Sequence, residues 1–149
     1  EDFYLQVSML AGNKMKNKFR YILSWIIFLA YLTSILLLCL LDFSSVPEVK
    51  PEWLGIPTDK IVHFIMFFPF PILMTMVFGK TGWELKTFLA FITLTLAAGV
   101  LAGGIIELLQ AETGYRSCDI NDFRADSLGV ASGAILTVIA WNQGRKHKE

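Results

Sequence analysis

The sequence predicts an all-α integral membrane protein, a bundle of four transmembrane helices with both termini in the cytoplasm. Hydrophobic residues make up 54% of the 149 residues, charged residues make up 17%, and the mean hydropathy is +0.54. Soluble domains carry about 25% charged residues, so this composition indicates a membrane protein. Four apolar stretches of about 20 residues each are long enough to cross the hydrocarbon core. They predict helices over residues 21–41, 59–78, 87–110 and 121–141.

Residues 1–14 are set apart from the single domain predicted for residues 15–149. They begin Glu-Asp-Phe-Tyr-Leu-Gln, which resembles a protease-site remnant of an expression tag, and Met15 reads as a natural start. Helix one then ends before Asp42. Helix two is predicted to begin at Asp59, with Thr58 as a candidate N-cap, and Pro69 and Pro71 predict a kink or a local opening within it.

Helices three and four each carry a stripe of small residues. Gly99 and Gly103 are four apart on helix three, and Gly129 and Gly133 are four apart on helix four. Small residues at this spacing let membrane helices approach one another closely. We therefore expect helices three and four to pack as a tight antiparallel hairpin.

The distribution of lysine and arginine predicts the orientation in the membrane. Nine of the thirteen lie in the N-terminal flank, in the turn between helices two and three, or in the C-terminal tail. Because cytoplasmic segments carry the excess of Lys and Arg, these three segments are predicted to be cytoplasmic. The other two loops then lie on the extracytoplasmic face.

This topology gathers the unusual polar side chains on the extracytoplasmic face. They come from the start of helix two, the end of helix three, and the loop and start of helix four: Asp59, Lys60, His63, Glu107, Gln110, Arg116, Asp119, Asp122 and Asp126. Ionisable groups at membrane depth are costly, and by default they indicate a functional site. The sequence therefore predicts one shared polar site on this face.

An acid–base pair is one interpretation of this site. Asp59 and His63 are four residues apart, so they share a helix face. A carboxylate beside an imidazole raises its basicity, and such a pair serves as a general base, a metal site or a simple ion pair. The candidate catalytic residues are His63, Asp59, Glu107 and Asp122. The alternative is a buried polar cluster with a purely structural role, which holds the ends of helices two, three and four together.

Head-group binding is a second interpretation. Arg116 either pairs with Asp119 or Asp122, or grips a phosphate or carboxylate of a lipid head group. Lys60 is either an interfacial lysine or a head-group contact. The candidate residues for binding a head group are Lys60, Gln110, Arg116, Asp119 and Asp126.

The sequence assigns no metal, no cofactor and no nucleic-acid partner. His63 with Glu107, Asp122 and Asp126 offers ligands for a divalent cation, but a second histidine or a ligand-spaced motif is missing. The two cysteines are far apart, which excludes a disulfide scaffold. The net charge of zero gives no basic field for nucleic acid. The expected partner is a membrane lipid or a lipid-linked cell-wall molecule, and the sequence does not specify an oligomeric state.

Three polar segments follow one another in a specific order. They read Asp59-Lys60-Ile61-Val62-His63-Phe64, Glu107-Leu108-Leu109-Gln110 and Arg116-Ser117-Cys118-Asp119-Ile120-Asn121-Asp122, with Gly129 and Gly133 after them. In this order and spacing, residues 21–141 resemble the VanZ-like family of small bacterial membrane proteins. The resemblance carries over Asp59, Lys60, His63, Glu107, Gln110, Arg116, Asp122 and Gly129 as family positions. Asp126 departs from the family pattern, which more often has Asn there, and makes this site more acidic.

The resemblance implies a multi-pass protein of the bacterial plasma membrane with a polar site on the extracytoplasmic face. The family is named for a protein associated with resistance to teicoplanin. Our first hypothesis is therefore binding of a lipid head group, a lipid-linked cell-envelope intermediate or a lipoglycopeptide, with an effect on teicoplanin susceptibility. The alternative is a membrane-embedded enzyme that acts on a lipid head group, with His63 and a carboxylate as acid and base.

Geometry separates these two hypotheses. An enzyme needs His63 and a carboxylate to converge on a cavity that a substrate atom can enter. A third hypothesis, a channel or transporter, ranks last because the cytoplasmic halves of the four helices are nearly free of ionisable groups.

Overall fold

The computed structural model describes residues 2–41, 52–53, 55–80, 82–114 and 118–146, and these residues are almost entirely helical. The elements are α1 (Asp2–Leu40), β1 (Glu52–Trp53), β2 (Ile56–Pro57), α2 (Thr58–Phe67), α3 (Phe70–Phe78), α4 (Leu85–Glu112) and α5 (Ile120–Lys146). β1 and β2 pair as a short antiparallel hairpin immediately before α2. Four stretches are long and apolar enough to cross a membrane: Lys18–Leu40, Thr58–Phe78, Leu85–Glu112 and Ile120–Gly144. The predicted all-α fold with four transmembrane helices is confirmed, and the side of the membrane on which the termini lie stays a prediction.

The helices are longer than the apolar stretches alone predict. α1 runs back to Asp2, through most of the segment expected to be a tag remnant, whose origin stays a prediction. α4 and α5 extend beyond the predicted 87–110 and 121–141 by a few residues at their ends. Polar residues continue a helix beyond the hydrocarbon layer, and hydropathy alone does not detect such extensions.

The second membrane-crossing stretch is broken into α2 and α3, as its prolines predict. α2 ends at Phe67, and α3 begins at Phe70 after Pro69. Proline has no N–H, so carbonyls in the preceding turn lose their helical partners. The carbonyl of Met66, beside this break, accepts a hydrogen bond of 2.7 Å from the hydroxyl of Tyr31 on α1. The neighbouring helix thus satisfies part of the opened backbone.

The small-residue stripes lie at two different helix contacts. A Cβ added to Gly99 or Gly103 of α4 would press on Val130 or Asp126 of α5. A Cβ added to Gly129 would instead overlap the backbone carbonyl of Phe64 on α2. The expectation that both stripes join helices three and four is therefore wrong for α5.

Gly133, the other glycine of the α5 stripe, also faces the second membrane-crossing stretch and not α4. A Cβ on Gly133 would overlap the backbone carbonyl of Phe68, at the break between α2 and α3. The α5 glycines let the bent second span approach α5 closely, while α5 presents Val130 and Asp126 to α4.

Buried contacts join the four spans into one bundle. One cluster brings Ile35 and Cys39 of α1 against Phe67 of α2, Ile106 of α4 and Val130 of α5. This cluster adjoins the polar side chains that the sequence singled out, since Ile106 precedes Glu107 and the Cys39 carbonyl accepts a hydrogen bond from Gln110.

The two ends of the bundle differ in composition. The polar end is formed by the end of α1, the start of α2, the end of α4 and the start of α5, which share polar contacts. The aromatic end contains the stacked rings of Phe88 and Trp141, and the edge contact between Trp25 and Phe78.

Candidate functional site

Lys60 lies at the centre of the polar contacts between α2 and α5. Its Nζ donates to Asp119 Oδ2 and to Asp122 Oδ1, and it lies 2.9 Å from Asp59 Oδ2. The Lys60 side chain is 16% exposed, so the surrounding carboxylates replace most of the water that would otherwise solvate its charge. Lys60 is thus a counter-charge for three acidic residues, and its role as a head-group contact stays a prediction.

Asp119 immediately precedes α5, and its carboxylate accepts hydrogen bonds from the backbone of Asn121 and from the ammonium of Lys60. Its Oδ1 accepts a hydrogen bond of 2.8 Å from the backbone N–H of Asn121, which is the geometry of a helix N-cap. The hydrogen bond from the Lys60 ammonium, with this backbone N–H, holds the pKa of the Asp119 carboxyl below its usual range. Asp119 therefore fixes the start of α5 and carries its negative charge at neutral pH.

His63 pairs with a carboxylate of another helix. Its Nδ1 lies 2.9 Å from Oδ1 of Asp126, and its Nε2 lies 3.8 Å from Oδ2 of Asp122. His63 is 4% exposed and Asp126 is fully buried. The expected pairing of His63 with Asp59 is corrected, because the Asp59 carboxylate points to Lys60 and is 51% exposed.

Glu107 is buried at the polar end of α4. Its Oε2 accepts a hydrogen bond of 2.9 Å from the backbone N–H of Asp119, and the residue is 2% exposed. Among the described residues, Oε1 of Glu107 has no hydrogen-bond partner, and the same is true of Oδ2 of Asp126. One potential metal-ligating atom from each of His63, Glu107 and Asp126 lies within 4.8 Å of the other two.

Gln110 joins α4 to α1. Its side-chain amide donates a hydrogen bond of 2.9 Å to the backbone carbonyl of Cys39, and Gln110 is 2% exposed. This contact ties the end of one span to the end of another. Binding of a head group by Gln110 stays a prediction. Arg116, the other predicted head-group contact, lies outside the described residues.

Within the described part of the chain, two grooves border the polar side chains at this end of the bundle. The larger, the α4–α5 groove, has a volume of about 690 Å³ and its walls are mostly apolar. It is lined by Val100, Leu101, Gly104, Ile105, Glu107, Leu108, Cys118, Asp119, Ile120 and Phe123. The smaller, of about 280 Å³, lies between α2 and α5 and is lined by Ile56, Lys60, Ile61, Phe64, Ala125 and Leu128. His63 lines neither of these two grooves.

The sequence-based interpretation missed the α4–α5 groove. Gly104 and Phe123 line it, and neither was a candidate residue. The signal was present, since Gly103 and Gly104 are adjacent and face different neighbours: Gly103 lies against Asp126, whereas Gly104 lies near the ring of Phe123. Because adjacent positions of a helix point in different directions, the second glycine leaves a gap on a face other than that of the stripe, and lipid or another helix can enter there.

Comparison with known proteins identifies the family. A family model described as VanZ/LLP1 matches residues 13–141, which is most of the chain. The chain therefore belongs to the VanZ-like family. No curated protein and no solved structure matches it.

Proposed function

For this member of the VanZ-like family, we propose a role in binding a membrane amphiphile at the polar end of the bundle. The hydrocarbon chain lies in the α4–α5 groove, and the head group meets the acidic cluster. The observation that carries this proposal is the groove itself, which has a volume of about 690 Å³, mostly apolar walls, and Glu107 and Asp119 among its lining residues. A lipid, a lipid-linked cell-envelope intermediate and a lipoglycopeptide all have this combination of an apolar chain and a polar head.

The excess of acidic over basic side chains at the polar end indicates which type of head group it would bind. The described acidic members of the cluster are Asp59, Glu107, Asp119, Asp122 and Asp126, and its basic members are Lys60 and His63. Carboxylates accept hydrogen bonds and favour cations, and charge-assisted hydrogen bonds are about twice as strong as neutral ones. A head group with a primary ammonium, such as that of phosphatidylethanolamine, therefore suits the groove better than a purely anionic one.

We place the polar end on the extracytoplasmic face of the bacterial plasma membrane. The excess of Lys and Arg in the segments at the other end supports this orientation. Cys118 is exposed and lines the groove, so it reports which side the groove faces. A membrane-impermeant maleimide should label Cys118 in intact cells, and labelling only after permeabilisation would reverse the orientation.

Filling the groove tests the binding proposal. In Gly104→Leu, the new side chain enters the groove, and its Cβ makes only ordinary contact with the ring of Phe123, at 3.5 Å. We expect retention of phosphatidylethanolamine to fall about tenfold, which corresponds to about 1.4 kcal/mol of binding free energy. Native mass spectrometry of the purified protein measures this retention, with phosphatidylglycerol and teicoplanin as competing probes.

Two control variants separate filling of the groove from a change in helix propensity and from the addition of a large side chain elsewhere on α4. Gly104→Ala changes the helix propensity without filling the groove. Ala97→Leu adds a large side chain at an exposed position of the same helix. Both should retain phosphatidylethanolamine as the unsubstituted protein does. Equal retention by Gly104→Leu and Ala97→Leu would contradict the proposal.

Catalysis is less well supported than binding. The pairing of His63 with Asp126 at 2.9 Å suits a general base, but a base must reach the proton it removes. His63 is 4% exposed and lines neither described groove. The geometry therefore favours a binding protein over an enzyme.

A further inference from the structure

Three buried side chains from three helices lie close together at the polar end of the bundle. They are His63 of α2, Glu107 of α4 and Asp126 of α5, with exposures of 4%, 2% and 0%. One nitrogen or oxygen from each lies within 4.8 Å of the corresponding atoms of the other two. Imidazole and carboxylate groups both bind divalent transition-metal cations in proteins.

Two oxygens in this group have no hydrogen-bond partner among the described residues. They are Oε1 of Glu107 and Oδ2 of Asp126, and both are buried. A buried polar atom without a partner costs free energy, and for a carboxylate the cost is larger than for a neutral group. A ligand between these oxygens would remove that cost, and the ligand must be a cation or a hydrogen-bond donor.

The nearby lysine does not serve these two carboxylates. The Nζ atom of Lys60 bonds to Asp59, Asp119 and Asp122. Glu107 and Asp126 therefore share only the imidazole of His63 as a nearby basic group in the described part of the chain. Two buried carboxyl groups and one imidazole therefore place three ligand atoms where one divalent cation can meet all of them.

We propose that His63, Glu107 and Asp126 bind one divalent transition-metal cation. In the structure, His63 Nδ1 and Asp126 Oδ1 are 2.9 Å apart. Two atoms bound at about 2.1 Å in adjacent octahedral positions lie roughly 3 Å apart, so this separation is compatible with a shared metal ion. Metal binding would replace the hydrogen bond between these two atoms and turn the imidazole so that Nδ1 points at the metal. One nitrogen and two oxygens from the protein suit Zn²⁺ or Mn²⁺ and leave coordination positions for water. This inference does not depend on the amphiphile.

Metal content and affinity test the proposal in detergent, without added lipid. The full chain is stripped with a chelator, and Zn²⁺ binding is measured by calorimetry and elemental analysis. We expect one Zn²⁺ per chain, with affinity lowered about tenfold or more by Glu107→Gln and by Asp126→Asn. Asp59→Asn is the matched control, since it removes the same charge from the same cluster without removing a ligand. It should weaken binding by about threefold or less.

A spectroscopic signature of the unsubstituted protein adds a test that does not depend on how well any variant folds. Mn²⁺ bound to the unsubstituted protein should show coupling to a histidine nitrogen in pulsed electron paramagnetic resonance. His147→Gln should retain this coupling and His63→Gln should lose it; these are the two histidines of the chain. Absence of stoichiometric metal, absence of nitrogen coupling, or equal affinity in Glu107→Gln and Asp59→Asn would overturn the proposal. Each of these results leaves the lipid-retention test of Gly104→Leu unaffected.

Discussion

The polar and aromatic ends of the bundle are held together by different chemistry. At the polar end, Lys60 joins α2 to α5 through ion pairs with Asp119 and Asp122. At the aromatic end, Phe88 stacks on Trp141 with ring centroids 4.2 Å apart and planes 7° apart. Lipid tails are as apolar as these rings, so the aromatic end gains packing but little hydrophobic free energy.

The different chemistry of the two ends predicts where a substitution lowers the stability of the bundle in a membrane. A truncated aromatic ring leaves a gap that lipid or neighbouring side chains can partly fill. A buried charge that loses its partner finds no substitute in hydrocarbon. The polar end should therefore depend on a few indispensable side chains, and the aromatic end on many replaceable ones.

The largest effect should come from Lys60→Met. This change keeps most of the side-chain volume and leaves the carboxylates of Asp119 and Asp122 without their shared cation. We expect a loss of about 3 kcal/mol in the free energy of unfolding, measured by denaturation in mixed micelles. The control is Lys86→Met, an exposed lysine at the other end of the bundle, which should cost about 0.5 kcal/mol or less. Equal losses of unfolding free energy in Lys60→Met and Lys86→Met would contradict the claim that buried ion pairs stabilise the polar end.

A smaller effect is expected for Phe88→Ala at the aromatic end. Phe88 is fully buried, and a soluble core would lose about 3–5 kcal/mol on this change. We expect about 1–2 kcal/mol by the same denaturation measurement, because only packing and ring stacking are lost in lipid. Leu89→Ala, at an exposed neighbouring position, should change stability by less than about 0.5 kcal/mol. A loss for Phe88→Ala larger than that for Lys60→Met would contradict the comparison.

The smallest expected effect is a change in how the stability of the protein depends on acidic pH, caused by Asp119→Asn. The pKa of Asp119 lies below its usual range in the folded protein, because the Lys60 ammonium and the Asn121 N–H bond to its charged form. The stabilisation is therefore present at neutral pH and is lost as the pH falls through the lowered pKa. Asp119→Asn should flatten the loss of stability between about pH 5 and about pH 3, since asparagine still caps α5 but does not titrate. An unchanged acid profile in this variant would show that Asp119 does not contribute.

The fold was largely predictable because it depends on local composition. Apolar stretches set the four spans, and Pro69 marks the break in the second one. Length and hydropathy are properties of a short window, so no knowledge of neighbouring helices was needed. The polar extensions of the helices were missed for the same reason, since hydropathy reports only the part inside the hydrocarbon.

The candidate site was predicted as a group but not in its pairing. The residues named on α2, α4 and α5 do meet at one end of the bundle. Sequence spacing shows which residues share a helix face, but it does not show which neighbour that face meets. Hence Asp59 seemed the partner of His63, whereas the rotation of α5 brings Asp126 to its Nδ1. The same rotation turns Gly129 toward α2 instead of α4.

The central claim is that an amphiphile occupies the α4–α5 groove beside the acidic cluster. Cys118 lines this groove and is exposed, whereas Cys39 is buried, so a benzophenone maleimide can be attached selectively at Cys118. Illumination in bacterial membranes then crosslinks whatever occupies the groove, and mass spectrometry identifies it. We expect adducts enriched in one amphiphile with an ammonium-bearing head group, and we expect Gly104→Leu to lose this enrichment. Adducts that match the bulk lipid composition and do not change in Gly104→Leu would contradict the central claim.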